Sequence, residues 1–111
     1  IIEIGTFTGL SSLGFFHVMN KDHSLHSFDI VPWNDFAETV LLEEDFERFN
    51  YKQVLSDLGH LENTLKYKEL LNEADLIFCD GPKDGHFEKN LILNFEKVGL
   101  KDGCILFFVY N

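Results

Sequence analysis

Apolar runs and amphipathic stretches alternate along the whole chain. The apolar runs are short and rich in residues typical of strands, whereas the stretches between them carry apolar residues at helical spacing. The predicted strands cover residues 1–4, 25–30, 51–55, 76–79 and 104–109. The predicted helices cover residues 10–19, 36–49, 58–72 and 87–98.

This alternation indicates the class of fold. Strands that alternate with helices of about 10–15 residues are typical of βαβ units and of a parallel sheet. The run Leu76-Ile77-Phe78-Cys79 is apolar at every position, as in a sheet that helices cover on both faces. We therefore predict an α/β domain with a doubly wound, mostly parallel sheet. Ligands bind such sheets beyond the carboxyl ends of the strands.

Length, charge and cysteine content limit the class of protein further. The 111 residues suit one domain, and 19 acidic against 9 basic residues give a net charge of −10. This charge repels phosphate backbones, so nucleic acid is not expected as a partner. No apolar run approaches the roughly 18 residues of a membrane helix. Cys79 and Cys104 lie inside predicted strands and are expected to be free thiols, which favours a cytoplasmic protein.

Both ends of the chain fall inside predicted strands. The sequence starts at Ile1 without a methionine, and it ends with Tyr110 and Asn111 directly after an apolar run. Natural termini usually lie in exposed segments. We therefore expect residues 1–111 to be the core of a longer protein, truncated at both ends.

The first candidate site is the segment Glu3-Ile4-Gly5-Thr6-Phe7-Thr8-Gly9-Leu10-Ser11. Gly5 and Gly9 allow a ligand to approach the backbone, and the following helix start offers N–H groups. A dinucleotide fingerprint requires a second glycine where Phe7 stands, and the lysine of a Walker loop is absent, so pyrophosphate is disfavoured. Glu3 instead suits an ammonium or sulfonium group. A purely structural turn is the alternative interpretation.

Two aspartates follow the next strands. Asp29 ends the second predicted strand, where its two carboxylate oxygens suit the two hydroxyls of a ribose. Together with the glycines of the first loop, it indicates a ligand that contains adenosine. Asp57 follows the third strand and is a candidate acceptor for an adenine amino group. The alternatives are an ordinary loop residue for Asp29 and a helix cap for Asp57.

The third candidate site follows the fourth strand. There Asp80 is succeeded by a Gly-Pro turn that presents Lys83, Asp84 and His86 together. Carboxylates and an imidazole can bind a divalent cation, and a lysine in such a place can act as a base. The alternative is a solvated loop in which Asp84 or Gly85 opens the next helix.

The three sites together resemble class I S-adenosylmethionine-dependent methyltransferases. Residues 3–11 are similar to motif I of this family, closest to the O-methyltransferases of the catechol and caffeoyl-CoA type. The resemblance extends over nearly the whole chain. It implies a Rossmann-like core with strand order 3-2-1-4-5, S-adenosylmethionine as cofactor and a small molecule as methyl acceptor.

The resemblance also assigns roles to residues at matching positions. The residues expected around the cofactor are Glu3, Gly5, Thr6, Phe7, Gly9, Ser11, Asp29, Asp57 and Asp80. By this resemblance, the methionine part of the cofactor is bound by Glu3, Gly5 and Ser11. The ribose is bound by Asp29, and the adenine is bound by Asp57. Asp80 is in addition the candidate ligand of a divalent cation such as Mg²⁺. Lys83 is the expected base, with His86 as the competing one.

The last predicted strand departs from the family pattern. Metal-dependent members carry an acidic or Asp-Asn pair after this strand, whereas here only Asn111 is polar. The strands that cover its edge in the family do not follow in this sequence. We therefore expect the chain to associate with itself through this edge.

Two other functions stay open at this point. One is a non-catalytic domain that binds adenosine or a nucleotide. The other is an NAD-dependent dehydrogenase, which Phe7 disfavours because it replaces the required glycine.

Overall fold

The computed structural model describes residues 1–109 and contains one five-stranded sheet. Its strands are β1 (Ile2–Ile4), β2 (Leu25–Asp29), β3 (Tyr51–Leu55), β4 (Leu76–Cys79) and β5 (Ile105–Phe108). They are hydrogen-bonded in the order β3-β2-β1-β4-β5, and every pairing is parallel. The predicted fold class and strand order are confirmed. The carboxyl ends of β1, β2, β3 and β4 therefore meet along one edge, which is where the candidate sites were predicted.

Helices and turns connect the strands. The helices are α1 (Leu10–Phe16), α2 (Asp45–Arg48), α3 (Leu61–Lys66), α4 (Lys68–Asn72) and α5 (His86–Val98). A short 3₁₀ turn at Trp33–Asp35 follows β2. Among residues 1–109, no helix has the length and apolar character that crossing a membrane requires. The cytoplasmic location stays a prediction.

The predicted helix over residues 36–49 is wrong over most of its length. Only Asp45–Arg48 is helical. The residues before it lie against the loop after β1, because Val40 N–H and the Thr39 hydroxyl both donate to the carbonyl oxygen of Thr8, at 2.9 and 3.3 Å. Contacts between segments distant in sequence thus replace the helix that the local pattern favours.

The predicted helix over residues 58–72 is divided in two. Tyr67, with φ −104° and ψ 23°, lies between α3 and α4. The first turn is also missing, because Gly59 N–H donates to Asp57 Oδ1 at 2.8 Å and forms a tight turn before the helix. Asp57 therefore closes this turn and does not cap α3, which has no side-chain cap.

Two apolar clusters cover the two faces of the sheet. One face presents Ile2 and Ile4 to a cluster that includes Leu91 and Phe95 of α5. The other face presents Leu25 and Tyr51 to a cluster built with α1 and the chain before β3. Burial on both faces agrees with the apolar strands that predicted a doubly wound sheet.

The outer edge strand β5 is poorly covered. Ile105 is 61% exposed and Phe107 is 53% exposed, although both are apolar. Phe107 stacks on Phe78 of β4 with ring centroids 5.5 Å apart. β5 thus exposes apolar side chains on a face of the sheet, and its outer edge has no neighbouring strand among residues 1–109. Self-association through this edge stays a prediction.

Candidate functional site

The loop after β1 passes the end of β4 at very close range. Gly5 has φ +99°, and its N–H donates to the carbonyl oxygen of Phe28 at 2.8 Å. A Cβ atom at Gly5 would overlap the carbonyl oxygen of Asp80. This position therefore requires glycine for two reasons: the left-handed backbone and the neighbouring strand end.

The second glycine of the loop serves packing. Gly9 has φ +89°, and a Cβ atom there would overlap the side chain of Leu41. Leu41 belongs to the irregular segment before α2 and is buried. Gly9 therefore allows this segment to close over the start of α1, and the sequence did not predict that contact.

The carboxylate of Asp29 is fixed by backbone N–H groups. Phe7 N–H donates to Oδ2 at 3.0 Å. Ile30 and Val31 N–H donate to Oδ1 at 2.7 and 3.3 Å. A carboxylate offers about four acceptor positions, so Oδ2 keeps capacity for a ligand hydroxyl. The aspartate is thus held in one orientation before any ligand arrives.

A cavity of about 230 Å³ opens beside Asp29 at the carboxyl edge of the sheet. Its lining includes Gly5, Phe7, Asp29 and Asp57 of the predicted set, and the other lining residues are mostly apolar. The volume is below the roughly 300–1,000 Å³ of whole cofactor sites. It suits an apolar ring system with a polar group at its rim.

Two aromatic residues of this cavity were not predicted from the sequence. Phe36 comes from the irregular segment after the 3₁₀ turn, and Phe87 comes from the first turn of α5. The Phe87 ring fits between two glycines: a Cβ atom at Gly81 would lie 2.9 Å from the ring, and one at Gly59 would lie 3.1 Å from it. The absence of side chains at these two glycines was the signal in the sequence that could have located this ring.

The other predicted cofactor residues do not line the cavity. They lie beneath the loop, at the start of α1 or at the end of β4, and they are Glu3, Thr6, Gly9, Ser11 and Asp80. Their direct contact with a cofactor stays a prediction. Thr6 in particular is buried, and its hydroxyl lies 2.7 Å from the hydroxyl of Ser27.

Glu3 lies at the centre of a buried polar cluster under the loop. Its Oε1 accepts hydrogen bonds from the hydroxyls of Ser12 and Ser27, both at 2.6 Å, and the Ser12 hydroxyl is 2.9 Å from the Tyr51 hydroxyl. The side chain is fully buried, and Oε2 has no hydrogen-bond partner in the described part of the chain. Burial raises the pKa of Glu3 despite the two serine hydroxyls.

The same cluster includes a serine of α1 that was not predicted. Ser12 rather than Ser11 faces Glu3, because Ser12 lies on the buried side of the helix. Burial also raises the pKa of Tyr51 to about 12. The cluster therefore joins β1, β2, β3 and α1 through neutral hydroxyls around one carboxyl group.

Asp80 and Lys83 form an ion pair at the end of β4. Lys83 Nζ lies 2.5 Å from Asp80 Oδ1 and 3.3 Å from the carbonyl oxygen of Gly81. Both side chains are about a quarter exposed. The lysine is therefore held close to the strand ends, with its ammonium group directed at the carboxylate.

The remaining polar residues of this loop begin α5. Asp84 Oδ1 accepts hydrogen bonds from the N–H groups of His86 and Phe87, at 2.9 and 3.0 Å. The Phe87 N–H is the main cause that lowers the pKa of Asp84. Asp84 and Gly85 thus open the helix, as the alternative interpretation had it. His86 is exposed at the first position of α5.

The donor set around Asp80 does not fit a metal centre within residues 1–109. No group of three or more histidine, cysteine, aspartate and glutamate side chains comes together in that part of the chain. Lys83 occupies one side of the Asp80 carboxylate. Asn111, the polar residue after the last predicted strand, lies outside the described residues.

Comparison with known proteins assigns the chain to a family. Residues 2–108 match the family described as methyltransferase domain. The chain belongs to the class I S-adenosylmethionine-dependent methyltransferases. A comparison of this methyltransferase domain with curated proteins gives no match.

A solved structure shares the fold of this methyltransferase domain. It is a short chain dehydrogenase family protein from Francisella tularensis subsp. tularensis SCHU S4, similar with a TM-score of 0.53 and 17% sequence identity. The similarity covers 96% of this chain and 48% of that chain, so the domain spans about half the length of the dehydrogenase. At this identity the likeness concerns the Rossmann-like fold alone.

The cavity fits the nucleoside part of the family's cofactor. Its apolar lining suits an adenine ring, and Asp29 stands at its side as an acceptor for hydroxyl groups. No lysine, arginine or histidine side chain lines it among the described residues. The family assignment favours methyl transfer over the NAD-dependent alternative.

Proposed function

We propose that this domain binds the adenosine part of S-adenosylmethionine in the cavity beside Asp29. We further propose that the protein transfers the methyl group to an oxygen atom of a small-molecule acceptor. The observation that carries the first proposal is the Asp29 carboxylate, which three backbone N–H groups orient beside an apolar cavity. The oxygen acceptor rests on the resemblance of residues 3–11 to O-methyltransferases.

The charges around the site favour a cationic ligand. Asp29 and Asp57 line the cavity, whereas the Asp80 carboxylate at the next strand end is paired with Lys83. When bound, S-adenosylmethionine supplies an electrophilic methyl group on a positively charged sulfur. Carboxylates near the strand ends stabilise such a cation and disfavour a phosphate group. Positioning of the two reactants would then supply most of the rate.

Transfer to a hydroxyl oxygen requires a base, because the acceptor loses its proton. We propose Lys83 as this base, with Asp80 positioning its amine. Lys83 Nζ is paired with the Asp80 carboxylate, and an ammonium group must release its proton before it can accept one from the acceptor. His86 is the competing base, since imidazole is the commonest proton acceptor in general base catalysis.

The same ion pair favours a second candidate function, a non-catalytic domain that binds adenosine. A lysine that stays paired with Asp80 as an ammonium group would anchor the loop and take no proton. Single-turnover methyl transfer by the full-length protein separates the two functions. Cofactor binding without any transfer to a panel of hydroxylated acceptors would favour the non-catalytic domain.

Calorimetry tests the cofactor site directly. Asp29→Ala removes a charged acceptor for the ribose, so we expect it to weaken S-adenosylhomocysteine binding by about 2–3 kcal/mol. Asp35→Ala is the matched control, because it removes the same charge from an exposed residue of the 3₁₀ turn that does not line the cavity. Equal affinities of the two variants would contradict the assignment of Asp29.

A further inference from the structure

Phe7 has a backbone conformation that is unusual for its size. Its φ is +48°, and it is the non-glycine residue with positive φ in the described part of the chain. Large side chains rarely adopt this conformation, and when they do the surrounding structure must enforce it. The sequence places a phenylalanine where glycine would carry no strain.

Contacts on both sides hold the loop in this conformation. Phe7 N–H donates to Asp29 Oδ2 at 3.0 Å. Gly9 N–H donates to the carbonyl oxygen of Thr6 at 2.9 Å, and the carbonyl oxygen of Thr8 accepts from Val40 N–H at 2.9 Å. These bonds involve backbone atoms of the loop, so they explain the conformation but do not explain a phenyl ring at this position.

The ring itself lies over the glycine that begins the loop. Its Cε2 atom is 3.0 Å from the place that a Cβ atom of Gly5 would occupy. The side chain is 46% exposed and lines the cavity beside Asp29. The ring therefore occupies the space above the first turn between β1 and α1.

Dinucleotide-binding sheets use this same space for a pyrophosphate. Their second glycine allows the backbone to approach the phosphates closely. Here a phenyl ring stands in place of that glycine, and acidic side chains line the cavity where a diphosphate would need basic ones.

We propose that Phe7 is a specificity-determining residue that excludes ligands with a 5′-diphosphate. The site then accepts adenosine ligands whose 5′ substituent is an uncharged or cationic sulfur group. The inference rests on the proposed function, because it assumes that adenosine occupies the cavity. The strained backbone is retained because it directs the N–H of Phe7 at Asp29 and its ring over Gly5.

Binding of three ligands to the full-length protein tests this role. The ligands are adenosine, S-adenosylhomocysteine and adenosine 5′-diphosphate, measured by calorimetry with the wild type, Phe7→Gly, Phe7→Asn and Phe7→Leu. The carboxylates repel the diphosphate in every variant, so the change in relative affinity between variants is what reports on the ring. Asparagine tolerates positive φ, and it therefore keeps the test valid should the glycine variant lose its loop structure.

We expect Phe7→Gly and Phe7→Asn to reduce the preference for S-adenosylhomocysteine over the diphosphate by about tenfold or more. Phe7→Leu keeps apolar bulk and should retain most of the preference. The melting temperature of Phe7→Gly should be unchanged or higher, since glycine relieves the positive φ. If Phe7 had only a structural role, its replacement by glycine would not lower the ligand preference while leaving the melting temperature undiminished. Leu10→Ala, at an exposed apolar residue that does not line the cavity, should change neither property.

Two results overturn the inference in different ways. If the small variants bind S-adenosylhomocysteine with the wild-type preference, the ring is not the discriminating group, and the proposed function stands. If the wild type binds neither adenosine nor S-adenosylhomocysteine, the proposed function fails and the inference falls with it.

Discussion

Two regions of the sheet edge carry the candidate chemistry, and they are built differently. In the glycine-loop region (residues 1–31), Glu3 is buried and Asp29 is fixed by backbone N–H groups. In the β4–β5 region (residues 76–109), Asp80, Lys83 and Asp84 are solvent-accessible and pair with near neighbours in sequence. The first region thus includes hydrogen bonds between residues far apart in sequence, from Ser27 to Glu3 and from Phe7 to Asp29. The polar groups named in the second region bond to near neighbours. A site that must bind one cofactor in one pose is better served by the first arrangement.

The catalytic assignment tests whether the β4–β5 region does chemistry, and it carries the largest expected effect. A positioned base contributes about 10²–10⁴-fold to a rate. We expect Lys83→Met to lower single-turnover methyl transfer by the full-length protein by that factor while S-adenosylhomocysteine binding stays near the wild-type value.

His86→Ala serves as the matched variant for that measurement. If His86→Ala loses the turnover and Lys83→Met keeps it, the imidazole is the base. If both variants keep the turnover, the loop after β4 only begins α5. The glycine-loop region would then bind the cofactor, whereas the β4–β5 region would have a structural role only.

Glycine substitutions compare how tightly the two regions are packed. Gly5→Ala meets the Asp80 carbonyl group and also strains a backbone at φ +99°, so we expect it to lower the free energy of unfolding by about 3 kcal/mol. In Gly85→Ala the new Cβ atom would meet no neighbouring atom, so the only cost is the strain of a backbone with φ +82°. This substitution should cost about 1 kcal/mol. Urea denaturation measures both, and equal losses would mean that the close approach at Gly5 is not rigid.

The fold was predictable from the sequence because each strand carries its own signal. Apolar residues at every position of β4 are typical of a strand covered on both faces. The segment before α2 was not predictable, because its conformation depends on the carbonyl oxygen of Thr8 and on the space left by Gly9. No local pattern contains either contact.

The candidate site was predictable to a similar extent. Asp29 and the loop glycines follow from their places at strand ends. Phe87 does not follow a strand end. It belongs to α5, and its ring reaches the cavity by packing against Gly81. Ser12 was not predicted, because its contact with the buried Glu3 depends on which face of α1 packs against the sheet.

The pH dependence of stability should have opposite signs in the two regions. Burial raises the pKa of Glu3 above its ordinary value of 4.5. Between 4.5 and the raised value the folded chain holds more protons than the unfolded chain, so stability falls as pH rises through this window. Glu3→Gln does not ionise, and its stability relative to the wild type should therefore increase across that window.

Asp84 gives the contrasting case at the start of α5. The Phe87 N–H, foremost among several causes, lowers its pKa below 3.8. Its contribution to stability is present above 3.8 and is lost as pH falls through the lowered value. Asp84→Asn should thus approach the wild type in strongly acidic solution and fall behind it above pH 4. Thermal melts from about pH 2 to pH 8 measure both variants. A Glu3→Gln difference that does not change with pH would mean that Glu3 is not buried as described.

Self-association through β5 carries the smallest expected effect and concerns the uncovered edge of the second region. Ile105 is 61% exposed on β5, whose outer edge has no neighbouring strand among residues 1–109. A lysine on an edge strand opposes pairing with a second chain, so we expect Ile105→Lys to weaken association of the 111-residue chain by about tenfold, or roughly 1.4 kcal/mol. Leu10→Lys places the same charge on an exposed apolar residue of α1 and controls for the change in net charge. Sedimentation at micromolar concentration distinguishes the two variants.

The chain carries a net charge of −10, so any added positive charge reduces repulsion between copies. Weaker association of Ile105→Lys alone would therefore have to come from the edge itself. If Leu10→Lys weakens association equally, or if the wild type is monomeric, β5 is not the contact.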